Sequence, residues 1–259
     1  MIRLKKTAPS GTMIIDAPAT RNAMSREMIQ QLIDAISDFH QDKSVRAVIL
    51  TSTGSTFCSG VDLKQWQSQS QERDAIAQWH DVASALHELI ESMLRLPKPI
   101  LAAVDGPALG FGLALVLACD LVVASPGSAF EIPSTRLGLV SGLTLPLLAF
   151  RFGASAAARM AIGGQRIDAT EAHQMGLAHR LVPSDQIWAA CHAWVGSIAE
   201  SSPESIQLSK RLLNEMVGES LLMNLSSGAA VLATACSTES AVEGLTAFVE
   251  KRPPKFPGS

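Results

Sequence analysis

Hydrophobic and polar residues follow one another in blocks that predict short strands and amphipathic helices. Ile2 to Lys5 and Gly11 to Asp16 have the composition of a strand hairpin, and Ala47 to Thr51 is a further strand segment. Between them, from Met24 to Phe39, apolar residues recur at helical spacing and form one apolar face. This succession of strands and helices predicts an α/β core with crossover connections.

The most apolar stretch, near the middle of the chain, predicts a buried strand followed by a buried helix. Ile100 to Val104 shows no polar alternation, and Gly110 to Ala118 carries almost no polar side chain. Leu121 to Ala124 then resumes as a strand. The first N–H groups of the helix have no partner within it, so a substrate oxygen could bind there. Alternatively, its glycines only let the backbone approach a neighbouring strand.

Helical patterns dominate the rest of the chain. We expect a helix from Gln71 to Leu96, which the following prolines end. After about residue 160 the pattern is mostly helical, with long helices at Ser184 to Glu200 and about Ser220 to Glu250. Apolar residues on more than one face of this C-terminal third predict an oligomer. They include Trp188, Trp194, Leu221, Leu222, Leu225, Val231 and Leu232.

Length and composition indicate a soluble globular protein. The chain of 259 residues is 47% hydrophobic and 17% charged, so it can bury a substantial core. A net charge of −3 provides no basic excess for binding nucleic acid. No apolar run is long enough to span a bilayer, and the N-terminus lacks the apolar segment of a signal peptide. We therefore expect a cytoplasmic protein with no membrane partner.

The cysteine pattern predicts reduced core residues rather than a metal site. The four cysteines are widely spaced in apolar surroundings: Cys58, Cys119, Cys191 and Cys236. They form no Cys-x-x-Cys pair and have no histidine at ligand spacing. We expect no metal and no cofactor. Because its neighbours are apolar, Cys58 is interpreted as a packing residue and not as a nucleophile.

Two motifs resemble the signature of the crotonase, or enoyl-CoA hydratase/isomerase, superfamily. They are Phe57-Cys-Ser-Gly-Val-Asp-Leu63, and Pro97-Lys-Pro99 followed by Ala108-Leu-Gly-Phe-Gly112. Shorter likenesses run in the family's order through Arg21-Asn-Ala-Met24, Leu137-Gly-Leu139, Gly164-Gln-Arg-Ile-Asp-Ala169, Met175-Gly-Leu177, Leu181-Val-Pro183 and Ala247-Phe-Val-Glu-Lys-Arg-Pro253. The resemblance implies a core of spiralling ββα repeats over residues 1–195. It also implies a helical C-terminal region, residues 196–259, that forms a homotrimer or a dimer of trimers.

The resemblance further implies a site for an acyl-CoA thioester. The backbone N–H groups of Val61 and Phe111 fall at the positions that form the family's oxyanion hole, which stabilises an enolate. The positions that the resemblance assigns to substrate binding are Arg21, Ala23, Ser59, Asp62, Leu63, Gly110, Ser134, Phe248 and Lys251. Arg21 and Lys251 also have simpler interpretations, as a surface cation and as a lysine at a helix end.

The match to the family breaks at the acid/base residues. Hydratases of the family use two glutamates, and this sequence has Ala114 and Ser134 at those positions. A third carboxylate position of some isomerase-like members is Gly142. None of these side chains can transfer a proton at neutral pH as a carboxylate does. The sequence thus departs from the two-glutamate hydration mechanism.

Two residues are candidates to replace the missing proton carriers. Glu131 is the nearest carboxylate, although an ion pair with Arg136 would also explain it. His87 shares a helical face with His80 and has a suitable pKa, although a solvated helix histidine is equally an explanation. Asp120 ends the buried helix and is interpreted as structural.

Three functions stay open from the sequence. The first is an enoyl-CoA hydratase/isomerase-like enzyme that acts on an acyl-CoA through a backbone oxyanion hole. The second is an acyl-CoA-binding protein of the same fold without catalysis. The third is an acyl-CoA hydrolase or decarboxylase that uses a histidine. Because function resides in the site and not in the fold, the geometry of the site has to distinguish them.

Overall fold

Nine strands form two sheets in the part of the chain that the structure, a computed structural model, describes: residues 1–69, 75–216 and 219–257. They are β1 (Ile2–Thr7), β2 (Ser10–Ile15), β3 (Ala47–Ser52), β4 (Ile100–Val104), β5 (Pro107–Leu109), β6 (Leu121–Ala124), β7 (Ala129–Glu131), β8 (Ile167–Asp168) and β9 (Arg180–Leu181). The larger sheet has the order β1-β2-β3-β4-β6-β9, and the smaller has the order β5-β7-β8. Only β1 is antiparallel to its neighbour in the larger sheet, as far as the described strands show.

Helices connect the strands and form the C-terminal third. They are α1 (Arg26–Gln41), α2 (Leu63–Gln69), α3 (Ala75–Arg95), α4 (Phe111–Ala118), α5 (Thr144–Ala161), α6 (Ala169–Gln174), α7 (Ile187–Ala199), α8 (Pro203–Arg211), α9 (Glu219–Cys236) and α10 (Glu239–Glu250). Within the described residues, no single helix is both long and apolar enough to cross a membrane. Helices α9 and α10 meet such a criterion only as a pair, and they are bent by 73°.

Apolar side chains cover both faces of the larger sheet. Because successive side chains of a strand point to opposite faces, β3 contributes to two cores. Val48 and Leu50 belong to the main core, with residues of α1, α3, α4, α5 and α9. Ala47 and Ile49 face the other way and pack with Ile187 and other residues of α7. The two-sided burial explains why strands such as β4 show no polar alternation.

The described fold confirms the α/β class, the N-terminal hairpin, the central strand and the buried helix. The helix expected from Gln71 to Leu96 is α3 over its later part, while residues 71–74 lie outside the described residues. The short strands β5, β7, β8 and β9 escaped the sequence analysis because two or three residues show no periodicity.

The single helix expected at Ser220 to Glu250 is wrong, because two helices occupy this region. The helix α9 ends at Cys236, and α10 begins after Thr238, whose hydroxyl accepts a hydrogen bond from the Ala241 N–H. A threonine in this position caps the start of a new helix. The chain therefore turns sharply where the apolar pattern by itself suggested continuity.

Part of the apolar surface from which an oligomer was predicted is buried within the single chain. Three of the leucines thought to need a partner surface are buried within the chain, where α9 packs against α3: Leu221, Leu225 and Leu232. The two tryptophans of α7 pack against the second core. Val231, in contrast, is 51% exposed, as are several other apolar residues of this region.

Candidate functional site

Two glycine turns bring the loop before α2 against the start of α4. Gly60 and Gly110 have positive φ angles of 101° and 53°, which L side chains rarely adopt. A Cβ atom on Gly60 would lie 3.1 Å from the carbonyl oxygen of Leu109 and 3.6 Å from the nitrogen of Phe111. The backbone at residue 60 is therefore in close contact with the backbone at residues 109 and 111.

Hydrogen bonds hold both peptide groups in place. The carbonyl of Gly60 accepts a hydrogen bond from the Met24 N–H at 2.8 Å. The carbonyl of Gly110 accepts one from the Thr144 hydroxyl at 3.1 Å, and Thr144 is only 2% exposed. In a trans peptide the C=O and the following N–H point in opposite directions. Each carbonyl bond therefore also sets the direction of the next N–H group.

These next N–H groups belong to Val61 and Phe111, the two donors that the resemblance implies. Within the described part of the chain, neither group donates a hydrogen bond. Both residues line the same cavity. Two adjacent N–H groups without a protein acceptor can bind a single oxygen that carries negative charge.

The inner cavity beside these groups has a volume of about 70 Å³ and a mainly apolar lining. Its walls are formed by Ser59, Gly60, Val61, Leu63, Trp66, Leu86, Gly110, Phe111, Pro133, Ser134, Leu137, Leu139, Val140, Ser141, Gly142, Leu143, Thr144 and Leu232. Among these described residues there is no aspartate, glutamate, histidine, lysine or arginine. Apart from the indole N–H of Trp66, hydroxyls are the hydrogen-bonding groups that these side chains supply.

An outer groove adjoins the inner cavity. It has a volume of about 480 Å³, and the residues that it shares with the cavity are Ser59, Val61, Leu63, Pro133 and Leu137. The remaining walls are Ala19, Thr20, Arg21, Ala23, Asp62, Lys64, Leu109, Arg136 and Phe248. Three of these side chains are cationic, which makes the groove suitable for a ligand that carries phosphate groups.

Most of the predicted substrate-binding residues meet at this cavity and groove. The inner cavity contains Ser59, Leu63, Gly110 and Ser134, and the outer groove contains Arg21, Ala23, Asp62 and Phe248. Lys251 ends α10 with a φ of 55° and is not among the described lining residues.

Asp62 has a structural role besides its place in the groove. Its carboxylate accepts hydrogen bonds from the Lys64 and Gln65 N–H groups, at 3.0 and 3.3 Å. A carboxylate in this position caps the start of a helix, here α2. Lys64 was not predicted as a binding residue, although it directly follows the motif and lines the groove.

The side chain of Phe248 comes from the same chain as the rest of the groove, because α10 packs back on α2. Other lining residues that sequence reasoning missed are Trp66, Ser141, Thr144 and Leu232. Trp66 follows Leu63 by three residues, which places both on one face of α2. No local pattern points to Leu232, because it reaches the cavity from a distant helix.

The two candidate proton carriers lie apart from the described cavity lining. Glu131 pairs with Arg136 at 2.8 Å, and its backbone carbonyl accepts the Gly110 N–H at 2.9 Å. His87 lies on α3 with Nδ1 3.9 Å from a carboxylate oxygen of Glu91. Neither side chain is part of the inner cavity or the outer groove as described.

The three positions that the resemblance assigns to carboxylates have different surroundings. Ala114 is fully buried in α4 and is not among the described lining residues. Ser134 does line the inner cavity, where its hydroxyl lies 2.5 Å from that of Ser141. Gly142 has no room for any side chain, because a Cβ atom would lie 1.9 Å from the carbonyl oxygen of Gly228.

Cys58 and Asp120 have structural roles, as the sequence analysis expected. Burial raises the pKa of the Cys58 thiol to about 12, so it stays protonated at neutral pH and is a poor nucleophile. Asp120 forms a 2.8 Å ion pair with Lys210 and accepts the Ile100 N–H at 2.7 Å. These bonds tie the end of α4 to the start of β4 and to α8.

The chain is similar over nearly its whole length to proteins of one family. Residues 9–259 match the model of the enoyl-CoA hydratase/isomerase family. The 2,3-dehydroadipyl-CoA hydratase of Escherichia coli K12 is 30% identical over 95% of this chain and 94% of its own. An enoyl-CoA hydratase/isomerase structure from Pseudoalteromonas atlantica T6c is 29% identical, with a TM-score of 0.85 over 99% of both chains.

A second solved structure gives the same result. An enoyl-CoA hydratase from Mycobacterium avium is 29% identical, with a TM-score of 0.84 over 98% of this chain and 97% of its own. These agreements confirm the crotonase-like fold that the motifs implied. The protein belongs to the enoyl-CoA hydratase/isomerase family of the crotonase superfamily.

Proposed function

We propose that the protein binds an acyl-CoA thioester and polarises its carbonyl oxygen with the N–H groups of Val61 and Phe111. The observation that carries this proposal is the contact between the two glycine turns. It brings together two N–H groups that have no acceptor among the described residues. Such preorganised donors strengthen as charge develops on an enolate oxygen, and one donor is worth about 3–4 kcal/mol in enzymes of known mechanism.

The outer groove then holds the coenzyme A part of the substrate. Arg21 and Lys64 supply positive charge for its phosphates, while Phe248 supplies an aromatic surface. Lys251 lies at the end of α10, three residues after Phe248, and is a further candidate contact for a phosphate. The acyl group enters the small apolar cavity behind the thioester.

The lining of the inner cavity limits the chemistry of the bound acyl group. Water addition to an enoyl-CoA needs groups that take and give protons near the second and third carbon atoms. The described lining residues contain no group that titrates near neutral pH. The favoured function is therefore polarisation of the thioester carbonyl without a paired-glutamate hydration step. Because no described lining residue can accept the proton next to the thioester, a base from solvent, such as hydroxide or a buffer anion, has to take it when an enolate forms.

Binding of an acyl-CoA without turnover is the second candidate function. The same observation favours it, since a cavity lined by apolar groups and hydroxyls can hold an acyl group without reacting with it. Incubation of butyryl-CoA with the protein in D₂O distinguishes the two functions. Deuterium incorporation at the carbon next to the thioester shows enolate formation, and binding without incorporation shows storage or transport.

Infrared difference spectroscopy of ¹³C-carbonyl-labelled butyryl-CoA tests the donor pair directly. Binding should lower the stretching frequency of the thioester carbonyl, because two N–H groups withdraw electrons from it. Phe111→Pro removes one donor and should abolish the shift, whereas Phe111→Leu keeps the N–H group and should retain it. Thermal unfolding shows whether the proline variant is folded. An unshifted carbonyl in the bound wild-type complex contradicts the proposal.

A homotrimer or a dimer of trimers belongs to the same proposal. Apolar side chains of the C-terminal third are exposed in the single chain, and they support an interface between copies. These side chains are Leu208, Leu212, Leu213, Met223, Val231, Val242 and Val249.

A further inference from the structure

Ser134 and Ser141 form a hydroxyl pair on the wall of the inner cavity. Their Oγ atoms are 2.5 Å apart, and both residues line the cavity. The Ser134 carbonyl accepts the Leu139 N–H at 2.9 Å, and the Ser141 carbonyl accepts the Leu145 N–H at 3.0 Å. Backbone hydrogen bonds therefore hold both serines, and the position of the pair does not depend only on the contact between the hydroxyls.

The hydroxyl pair has unused hydrogen-bonding capacity. Two hydroxyls carry two hydrogen atoms, and their mutual bond uses one hydrogen and one lone pair. Among the described residues, neither hydroxyl has a second partner. The pair can therefore still donate one hydrogen bond and accept others. Both serines are partly exposed on a mainly apolar wall, so a polar atom of a ligand can replace water as the partner of these hydroxyls.

The charge of the lining indicates which polar atom fits. No cationic side chain is found among the described residues of the inner cavity, so a carboxylate there would lose its hydration without gaining a counter-charge. A neutral oxygen avoids this cost, since a hydroxyl or carbonyl needs only hydrogen bonds. The small volume, about 70 Å³, restricts the acyl group to a few carbon atoms.

We infer that the hydroxyl pair of Ser134 and Ser141 recognises a neutral oxygen substituent on the acyl group. The preferred ligands are then short hydroxyacyl- or oxoacyl-CoA thioesters, and not plain saturated ones. This inference rests on the proposed function, because the acyl group lies in the cavity only if the thioester binds beside it. It names the class of substrate and assigns both serines as specificity-determining residues.

Isothermal titration of the full-length protein with four thioesters tests the inference. The ligands are butyryl-CoA, 3-hydroxybutyryl-CoA, 3-oxobutyryl-CoA and succinyl-CoA. The wild type should bind one or both of the oxygenated neutral ligands about three- to tenfold more tightly than butyryl-CoA, as a net hydrogen bond allows. Succinyl-CoA should bind more weakly than butyryl-CoA. Comparison of the hydroxy and oxo ligands shows whether the pair mainly accepts or mainly donates.

Substitutions separate recognition from a structural role. Ser134→Ala and Ser141→Ala should remove the preference for oxygen, so that each variant binds the oxygenated ligands no more tightly than it binds butyryl-CoA. Ser134→Thr keeps the hydroxyl and should keep the preference. Thr135→Ala is the matched control, because the Thr135 hydroxyl donates to the Ala161 carbonyl and neither residue lines the cavity.

The outcomes distinguish the inference from the function on which it rests. If the wild type binds butyryl-CoA as tightly as the oxygenated ligands, the inference fails while the proposed function stands. Equal loss of all ligands in both alanine variants, with lowered unfolding temperatures, also overturns it in favour of a structural hydroxyl pair. If the wild type binds none of the thioesters, the proposed function itself is wrong.

Discussion

Gly60 has a backbone conformation that disfavours a side chain and a position that leaves little space for one. Its φ angle is 101°, and an added Cβ atom would meet the Leu109 carbonyl at 3.1 Å, beside the Phe111 nitrogen. Two separate effects of a substitution follow. Backbone strain lowers the stability of the whole protein, and the methyl group crowds the two N–H donors.

Gly60→Ala should therefore lower both stability and ligand affinity. We expect a loss of about 1–3 kcal/mol in the free energy of unfolding, measured by chemical denaturation. Butyryl-CoA affinity should fall by about tenfold or more, since a lost charge-assisted hydrogen bond costs roughly 1.5–3 kcal/mol.

Gly176→Ala is the matched control for the strain alone. Gly176 also has a positive φ, 82°, but an added Cβ atom would meet nothing within 4 Å. This variant should lose stability and keep its affinity for butyryl-CoA. Equal affinity losses in the two variants would mean that strain, and not crowding of the donors, weakens binding.

Hydration of crotonyl-CoA by this protein should be very slow, because two residues lack a carboxylate. The two positions that the resemblance assigns to glutamates hold a buried alanine, Ala114, and a cavity serine, Ser134. A positioned acid or base contributes about a hundred- to ten-thousandfold to the rate. The decay of the enoyl absorbance measures the reaction, and turnover typical of an efficient hydratase would refute the expectation.

The double variant Ala114→Glu and Ser134→Glu shows how far the two residues explain the missing activity. Ser134→Glu places a carboxylate at the cavity wall. Ala114→Glu introduces a carboxyl group at a fully buried position, where desolvation raises its pKa and lowers stability. We therefore expect partial recovery of hydration at most, together with a lower unfolding temperature than the wild type.

At the scale of elements, α9 closes one side of the inner cavity by a direct backbone contact. Cβ atoms built on Gly142 and on Gly228 would each lie 1.9 Å from the carbonyl oxygen of the other. Leu232, one helical turn beyond Gly228, lines the cavity. The close contact of α9 with this loop therefore both shapes the cavity and excludes a carboxylate at residue 142.

Gly228→Ala should destabilise the protein, even though alanine has a higher helix propensity than glycine. Propensity alone favours alanine over glycine within a helix by about 1 kcal/mol. The opposing backbone cannot move as a flexible side chain does, and overpacking of this kind costs about 1–3 kcal/mol. Gly196→Ala in α7, where an added Cβ atom meets nothing within 4 Å, is the control and should be neutral or stabilising. Denaturant midpoints compare the two, and an increase for Gly228→Ala would contradict the contact.

At the scale of the whole molecule, the exposed apolar side chains of the C-terminal third predict self-association. Leu213 is 61% exposed and Met223 is 69% exposed, and both belong to the region that follows α8. The groove, in contrast, receives Phe248 from its own chain. We therefore expect the exposed leucines and methionine at an interface between copies, whereas Phe248 reaches the groove from its own chain.

Light scattering at micromolar concentration should give three or six times the chain mass of 27.4 kDa. Met223→Glu should shift the protein toward smaller species, because a charge in an apolar interface loses its hydration. Leu4→Lys, at a residue of β1 that is 48% exposed, is the control and should keep the wild-type mass. A monomer in the wild type would show that these apolar residues are not an interface.

The sequence by itself determined the features that depend on neighbouring residues. The apolar runs of β3 and β4, the buried α4 and the amphipathic α1 could be predicted because burial imposes a period on nearby positions. The motifs around Val61 and Phe111 also predicted both loops of the proposed donor pair, since their order along the chain matches one family. The division of the last helical segment at the capping Thr238 was missed, because the apolar pattern runs on across it.

Only the tertiary structure decided what these segments do together. Residues 60 and 111 meet because parallel strands bring the segments that follow them to one edge of the sheet. A local sequence pattern cannot predict this contact, because the two residues are far apart in the chain. The partners of the Ser134 hydroxyl and of the Glu131 carboxylate likewise depended on how a loop turns after β7. Leu232 closes the cavity from a helix that begins more than a hundred residues after α4 ends. Packing between distant segments, which sequence periodicity does not record, sets the shape and the charge of the site.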